Sequence, residues 1–338
     1  MRKIAVLTSG GNAAGMNMAI RAVTRCALAR GWQVFGVQDG YAGLIARAED
    51  GAEGGAENGA IRALQARDVG GILGSGGTML GSARCPEFME PAVRRRGLDN
   101  LASLGIDSLV VIGGNGSQAG ANALHCDEPE LSVVGIASTI DNDLEGSDIT
   151  LGADTALNVA LDAVDKLRVT ASAHRRASIV EVMGRDCGYI GLNVGLACGA
   201  EAIVLPEVDM SPAEVAARIE DAYRRGKKHA IVIVSEGAKL RAMELEQILM
   251  ADHCERIGFK LRTTVLGHIQ RGGTPTIFDR ILGARFGAHA VECLGRGMRG
   301  VLVGTHGGEL GTTPLADIVG KIKAIDMSRV ELARVLAQ

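Results

Sequence analysis

The stretch Ile4-Ala5-Val6-Leu7-Thr8-Ser9-Gly10-Gly11-Asn12-Ala13-Ala14-Gly15-Met16-Asn17 sets the fold class. A short apolar run, then glycines, then the helical pattern of Met16 to Arg30 reads as strand, tight turn and helix, the repeating unit of an α/β domain. Gly10 and Gly15 have the Gly-x-x-x-x-Gly spacing of a phosphate loop, but Met16-Asn17 stands where Lys-Ser/Thr would, which excludes a Walker A motif. Backbone N–H groups at a helix start can hold phosphate without that lysine. Taken alone, an ordinary tight turn explains the stretch equally well.

The same unit recurs along the chain. Apolar runs at Val34–Val37, Leu109–Ile112, Val133–Ile136, Ser178–Val182, Ala202–Leu205, Ala230–Val234, Thr263–Leu266 and Val301–Val303 are expected as parallel strands buried on both faces. Helical patterns lie between them at Thr155–Val169, at Pro212–Arg225 behind a Ser211 N-cap, and at Ile281–Leu294. The reading is an α/β chain of two similar three-layer lobes with mostly parallel sheets. One lobe takes 1–152 and about 270–320, the other about 153–269 plus a C-terminal helix. The acidic, Gly/Ala-rich segment 49–59 lacks apolar periodicity and is expected as an exposed loop.

Composition narrows the class of function. The 338 residues carry 36 Lys+Arg against 39 Asp+Glu, a net charge of −3 without a basic block, which argues against nucleic-acid or membrane-surface binding and for a small-molecule partner. A 47% hydrophobic fraction supports a sizeable core. The apolar run after Met1-Arg2-Lys3 is too short for a signal peptide or a membrane span, so a cytoplasmic location is expected. The seven cysteines never pair as CxxC and are expected as buried thiols in a reducing compartment, without disulfides or zinc. Glycine is the outlier: 47 in 338 is about 14%, twice the ordinary share of about 7%. These glycines cluster just after β-branched runs, where backbone approaches a ligand.

Two further glycine loops occur in the first lobe. Gly113-Gly114-Asn115-Gly116-Ser117-Gln118-Ala119-Gly120 follows the run Leu109–Ile112, and Gly76-Gly77-Thr78-Met79-Leu80-Gly81-Ser82-Ala83-Arg84 ends on a cation. Together they suit a polyphosphate, with Arg84 able to fork onto bridging oxygens. A dinucleotide fits less well, since no loop has a clean G-x-G-x-x-G with an acidic residue about twenty positions on. Thr139-Ile140-Asp141-Asn142-Asp143 places two carboxylates just past a strand end, suited to a general base and a metal-binding or orienting group, or to an Asx-turn.

These segments, with DGYAGL at 39–44, VEVMGR at 180–185 and GHIQRGG at 267–273, resemble in order and spacing the signature set of the bacterial-type 6-phosphofructokinases, over nearly the whole chain. The resemblance implies transfer of the ATP γ-phosphoryl group to the 1-hydroxyl of fructose 6-phosphate, a glycolytic step, with Mg²⁺ as cofactor. It makes Asp141 the base, with Arg185 and Arg84 on the transferring group. Thr139, Asp143, Met183, Gly184 and Glu236 then line the sugar side. Arg262, His268 and Arg271 match ligands of the sugar 6-phosphate. Arg176 matches an arginine reaching in from a neighbouring subunit, so that Arg176 and Arg262 are expected to serve one phosphate from two chains of an oligomer, usually a homotetramer.

For the nucleotide the resemblance implies Gly11, Tyr41, Arg84, Cys85 and Phe88 on one side and Gly114, Gly116, Ser117 and Gly120 on the other. Pyrophosphate-dependent relatives carry an acidic residue at the place of Gly116 and a lysine at that of Ser138, so the ATP type is preferred. An effector site for a phosphorylated ligand is implied at Arg21, Arg25, Arg168, Glu201, Arg225, Lys227 and Lys228, though 54–59 lacks the family's cations. Asn12 and Ala14 replace the usual Asp and Pro, and Asn115 replaces the aspartate that helps hold the metal, leaving an amide oxygen without charge. A weakly catalytic or regulatory paralogue, and pyrophosphate as donor, therefore stay as alternatives.

Overall fold

A computed structural model describes residues 1–46 and 60–337. The segment expected as an exposed loop, 49–59, lies outside the described residues, as do positions 54–59 of the effector argument. Two compact units divide the chain: 1–46, 60–140, 144–154 and 274–323 form the first, and 141–143, 155–273 and 324–337 the second.

In the first unit the strands are β1 (Lys3–Thr8), β2 (Gln33–Val37), β3 (Ile61–Ala63), β4 (Ser108–Gly113), β5 (Ser132–Ala137), β10 (Val301–His306) and β11 (Glu309–Pro314). The second unit holds β6 (Arg176–Val182), β7 (Ala202–Val204), β8 (Ala230–Ser235) and β9 (Lys260–Val265). Among the described residues the first sheet runs β11-β10-β5-β4-β1-β2-β3 and the second β7-β8-β6-β9. The five inner strands of the first sheet pair in parallel, as do all four of the second. Ile4 to Leu7 and Leu109 to Ile112 are fully buried, because helices cover both faces and leave such strands no solvent side.

Strand order positions the ligand loops. The chain leaves β1 for β2 on one side and returns as β4 on the other, so the turns after β1 and β4 diverge at a topological switch point, where open α/β sheets take their ligands. In the second sheet β6 lies between β8 and β9, and the turns after all three emerge at one end.

The second unit's core packs Ile179, Val204, Val232 and Val234 of the sheet against Val215 and Ile219 of the helix Pro212–Arg224. That helix begins with a capping box: Ser211 Oγ accepts from Glu214 N, and Glu214 Oε2 accepts from Ser211 N at 2.8 Å. Among the described residues no helix is long and apolar enough to cross a membrane.

Three expectations are corrected. The strand placed at Thr263–Leu266 runs over Lys260–Val265, and it is exposed along one edge, with Lys260, Arg262 and Val265 open to solvent, because β6 is its sole partner. The strands β3 and β11 had no counterpart in the apolar runs; each pairs antiparallel at a sheet edge, where a continuous apolar run is not needed. The cysteines are not uniformly buried: Cys187, Cys198 and Cys293 are, Cys26 and Cys85 are partly covered, and Cys126 and Cys254 are exposed at helix ends. All seven are free thiols.

Candidate active site

In the first unit three glycine loops meet. Ser82 Oγ donates to Gly10 O at 2.6 Å, and Thr8 Oγ1 donates to Gly81 O at 2.7 Å, which ties the 76–84 loop to the turn after β1. The turn after β4 closes equally tightly. A Cβ at Gly113 would stand 2.5 Å from Ser117 Oγ and 2.6 Å from Ser9 O, so only glycine passes there. Gly114 is the N-cap of the helix Asn115–Asp127, and its backbone N–H groups open toward whatever lies at the switch point. At Gly116 a Cβ would meet nothing within 4 Å.

Tyr41 and Phe88 are 4% and 2% exposed and stack on each other with centroids 4.0 Å apart. The Tyr41 hydroxyl donates to Ser117 O at 2.6 Å, and burial pushes the phenol's pKa far up, so it stays a donor. A Cβ at Gly120 would come within 2.8 Å of the Tyr41 ring. Tyr41, Phe88 and Gly120 thus form a packed support under the Gly114–Ser117 turn. Arg84 is exposed and Cys85 partly so, the latter with its thiol raised to about 11 by burial and by Glu87. Thr139 O accepts from Thr150 Oγ1 at 2.6 Å, which fixes the backbone that leads into Asp141.

In the second unit Asp141 is 3% exposed. Burial, then the neighbouring Asp143, raises its carboxyl to about 6 against the pull of Arg271 and Arg185. Arg185 Nε stands 3.9 Å from Asp141 Oδ2, close enough to steer the carboxylate without forming a tight pair. Arg185 holds φ at 51°, an uncommon conformation for a side-chain-bearing residue, and its surroundings over-determine it. Glu236 Oε1 accepts from Arg185 N at 2.9 Å and from Gly184 N at 3.3 Å. A Cβ at Gly237 would lie 1.9 Å from Arg185 O.

Gln270, 1% exposed, joins the remaining loop: its Oε1 accepts from Met183 N at 3.4 Å and its Nε2 donates to Gly267 O at 3.0 Å. His268 is exposed and Arg271 half-buried on that loop. Asp141, Asp143, Arg185, Glu236 and Arg271 are thus brought together electrostatically around one buried carboxyl. Gln270 and Gly237 were not singled out from sequence. Their flanking residues His268, Arg271 and Glu236 were the available signal, but both act on backbone atoms.

Arg176 and Arg262 both lie in the second unit. In the parallel register Ser178 faces Arg262 and Arg176 faces Lys260, so both arginines sit on one face of adjacent strands in one chain.

The residues read as an effector site are widely engaged. Arg21 Nη1 donates to Val69 O at 2.6 Å and Arg25 Nη2 to Ala66 O at 3.4 Å. Glu201 is 4% exposed, accepting from Lys227 Nζ at 2.8 Å and from Ile231 N at 2.6 Å, so it braces β8. Arg168 donates to Cys198 O, and Arg225 pairs with Asp221 at 2.8 Å. Lys228 is exposed beside Arg168 and His229 in a shallow depression.

The comparisons with known proteins agree with this geometry. The profile of the family described as Phosphofructokinase matches residues 3–294. An ATP-dependent 6-phosphofructokinase of Staphylococcus carnosus is 48% identical over the full length of both chains, and those of Bacillus pumilus and Thermotoga neapolitana are each 45% identical over the same extent. The phosphofructokinase of Saccharomyces cerevisiae superposes with a TM-score of 0.85 at 33% identity, over 99% of this chain and 46% of that one. A pyrophosphate-dependent phosphofructokinase of Marinobacter aquaeolei reaches 0.81 at 19% identity, a likeness of fold alone. The chain, an α/β protein with two mostly parallel sheets whose switch-point loops carry the motifs described above, belongs to the phosphofructokinase family.

Proposed function

We propose that this chain is an ATP-dependent 6-phosphofructokinase that transfers the γ-phosphoryl group of ATP to the 1-hydroxyl of fructose 6-phosphate, giving fructose 1,6-bisphosphate and ADP. The observation that carries the reading is the buried Asp141 carboxyl with its pKa raised to about 6, ringed by Arg185, Arg271, Glu236 and Asp143. A base poised near neutrality takes the proton from the sugar hydroxyl as its oxygen attacks phosphorus. Arg185 and Arg84 stabilise charge on the transferring oxygens, and Glu236 accepts from a sugar hydroxyl. Asp143, Thr139, Met183 and Gly184 shape the sugar side, and His268 and Arg271 attract the 6-phosphate.

The nucleotide is held by Gly11, Arg84, Cys85, Gly114, Gly116 and Ser117, with Tyr41, Phe88 and Gly120 supporting from beneath. Among the described residues no three His, Cys, Asp or Glu are grouped as a metal cage. Magnesium seldom needs one, since it keeps several waters and takes oxygens from substrate phosphates and one or two protein groups. The Asn115 amide oxygen, at the first position of its helix, fits that limited role. When bound, the ion neutralises charge on the β- and γ-phosphate oxygens. The effector residues remain a candidate anion site between subunits, with Arg21, Arg25, Arg168, Arg225, Lys227 and Lys228 as its cations and Glu201 as an internal brace.

The donor and the metal shell are tested together. With fructose 6-phosphate and Mg²⁺, turnover with ATP should exceed that with pyrophosphate by at least about tenfold, the span of about 1.4 kcal/mol. Asn115→Asp should raise kcat and lower the Mg²⁺ concentration needed. Faster turnover with pyrophosphate would sink the ATP assignment, and a parent without turnover that still binds both ligands would establish a regulatory paralogue.

The placement of Arg176 and Arg262 supports an oligomeric active unit. Arg176 opens β6, and the strand runs six residue steps, roughly 20 Å at about 3.3 Å per residue, before Val182 leads into the Met183–Arg185 turn. That length exceeds an arginine side chain, which supports the reading that Arg176, with Arg262 beside it, serves the 6-phosphate of a second copy in a homo-oligomer. Asp141→Asn and Arg176→Ala/Arg262→Ala chains, each impaired alone, should regain activity when mixed, in about a quarter of sites at random pairing. No recovery, with subunit exchange confirmed by mass, would show that all these residues act within one chain.

A further inference from the structure

Asn17 stands where a Walker A loop carries its Ser or Thr, and nothing in the chemistry above uses it. Its side chain is buried, with the residue 3% exposed, and it lies between the two ends of a glycine turn. Nδ2 donates to Ser75 O at 3.1 Å, with Gly76 O at 3.5 Å, and Oδ1 accepts from Met79 N at 2.7 Å. Ser75 and Met79 are four residues apart, the separation at which a carbonyl and an N–H close one α-helical turn. The Asn17 amide stands between them and takes both, so the turn Gly76-Gly77-Thr78 is held open, with Gly77 at φ 71°. A primary amide has one donor and one acceptor face for this purpose; a carboxylate lacks the donor, and an apolar side chain lacks both.

The loop so held leads directly to Arg84. After Met79 it is clasped twice more, by Thr8 Oγ1 on Gly81 O and by Ser82 Oγ on Gly10 O. Arg84 follows two residues later with its side chain exposed, so the backbone beneath determines where its guanidinium starts. Asn17 belongs to the helix Met16–Ala29, which follows directly on the first glycine loop, and it therefore fixes the third loop to the first.

From this juxtaposition we propose that Asn17 is a positioning residue for Arg84, setting where that guanidinium meets the polyphosphate of the nucleotide. The proposal rests on the reading of the chain as an ATP-dependent kinase, and it gives Asn17 no contact with the ligand. A misplacement of about 1 Å at a reacting group can cost about 10²-fold in rate.

The test is a double-mutant cycle on the full chain, using Asn17→Ala, Arg84→Ala and the double variant, with ATP, Mg²⁺ and fructose 6-phosphate. Asn17→Ala should lower kcat/KM for ATP by about ten- to a hundredfold while KM for fructose 6-phosphate stays within about twofold. In the Arg84→Ala background it should cost less than about threefold more, because the group it positions is gone. Equal losses in both backgrounds, or a KM for fructose 6-phosphate that rises as much as that for ATP, would overturn the proposal. Should Asn17→Ala fail to fold, Asn17→Asp keeps the acceptor for Met79 N, removes the donor to Ser75 O and sets a negative charge against that carbonyl. It should lose activity toward ATP selectively, and unchanged ATP kinetics in a folded Asn17→Asp would equally overturn it. A parent without turnover would count against the kinase reading alone, and the same cycle read by calorimetric titration with ATP would then decide for or against the role of Asn17.

Discussion

Asp141→Asn should remove about 10² to 10⁴ of the phosphoryl-transfer rate while KM for fructose 6-phosphate changes by no more than a few-fold. The substitution is nearly isosteric, and the Asp141 side chain is buried, so packing is retained. What is lost is a carboxylate able to take the hydroxyl proton. The parent should carry the signature of that group in its pH profile. Burial and Asp143 raise the Asp141 carboxyl to about 6, above the ordinary carboxylate range, with Arg271 and Arg185 opposing. A base acts only when deprotonated, so kcat/KM should be level above about pH 7 and fall tenfold per pH unit below about 6. Asp143→Asn removes the like charge and leaves the arginines, so it should shift that limb toward lower pH. A mutant at position 141 retaining more than a tenth of the parent kcat, or a parent profile without an acid limb near 6, would return the TIDND segment to the role of a structural turn.

Much of the fold was readable because parallel strands buried on both faces must be apolar throughout, and Ile4–Leu7, Leu109–Ile112 and Ala230–Val234 announce themselves. The strands β3 and β11 did not. Ile61-Arg62-Ala63 and Glu309-Leu310-Gly311-Thr312-Thr313-Pro314 are edge strands with mostly solvated side chains, and their pairing is decided by the neighbouring strand and not by their own composition. The β9 run was displaced by three residues for the same reason, since Lys260 and Arg262 on an exposed edge break its apolar pattern.

The site divides along similar lines. Residues proposed to reach a ligand through side chains, such as Asp141, Arg84 and Arg185, stand out in the sequence because charge in a glycine-rich turn is conspicuous. Gln270, Gly237 and Asn17 act on backbone atoms of other loops, with partners 52 to 87 positions away along the chain or absent a Cβ to mark them, and no local pattern reveals such contacts. The pairing of Arg176 with Arg262 likewise needed the register of β6 against β9.

Gly116→Asp should cut kcat/KM for ATP by about 10² to 10³ without lowering the melting temperature. A Cβ at this position meets nothing within 4 Å, so the fold accepts the side chain. Gly116 is the second residue of the helix Asn115–Asp127, where a carboxylate is favoured by the N–H groups and the helix dipole, and where replacing glycine restricts the unfolded chain. Stability should therefore hold or rise slightly. By the family resemblance, however, the acidic residue of pyrophosphate-dependent relatives fills the space of the α-phosphate here, so the open volume is where that phosphate is proposed to lie. Two unit charges about 4 Å apart in a partly solvated site repel by about 4 kcal/mol at an effective dielectric of about 20. That is nearly three decades of affinity, before any steric exclusion is counted. Pyrophosphate turnover should not rise in compensation, because Ser138 is buried with its Oγ donating to Leu151 O at 3.2 Å and supplies no cation for that donor. KM for fructose 6-phosphate should change little, since most of the residues proposed for it lie on the turns after β6, β8 and β9 and the rest on the 139–143 segment after β5. A stable Gly116→Asp chain with unchanged ATP kinetics would place the α-phosphate elsewhere and remove the structural basis for preferring ATP, whereas loss confined to ATP would tie donor choice to one missing side chain.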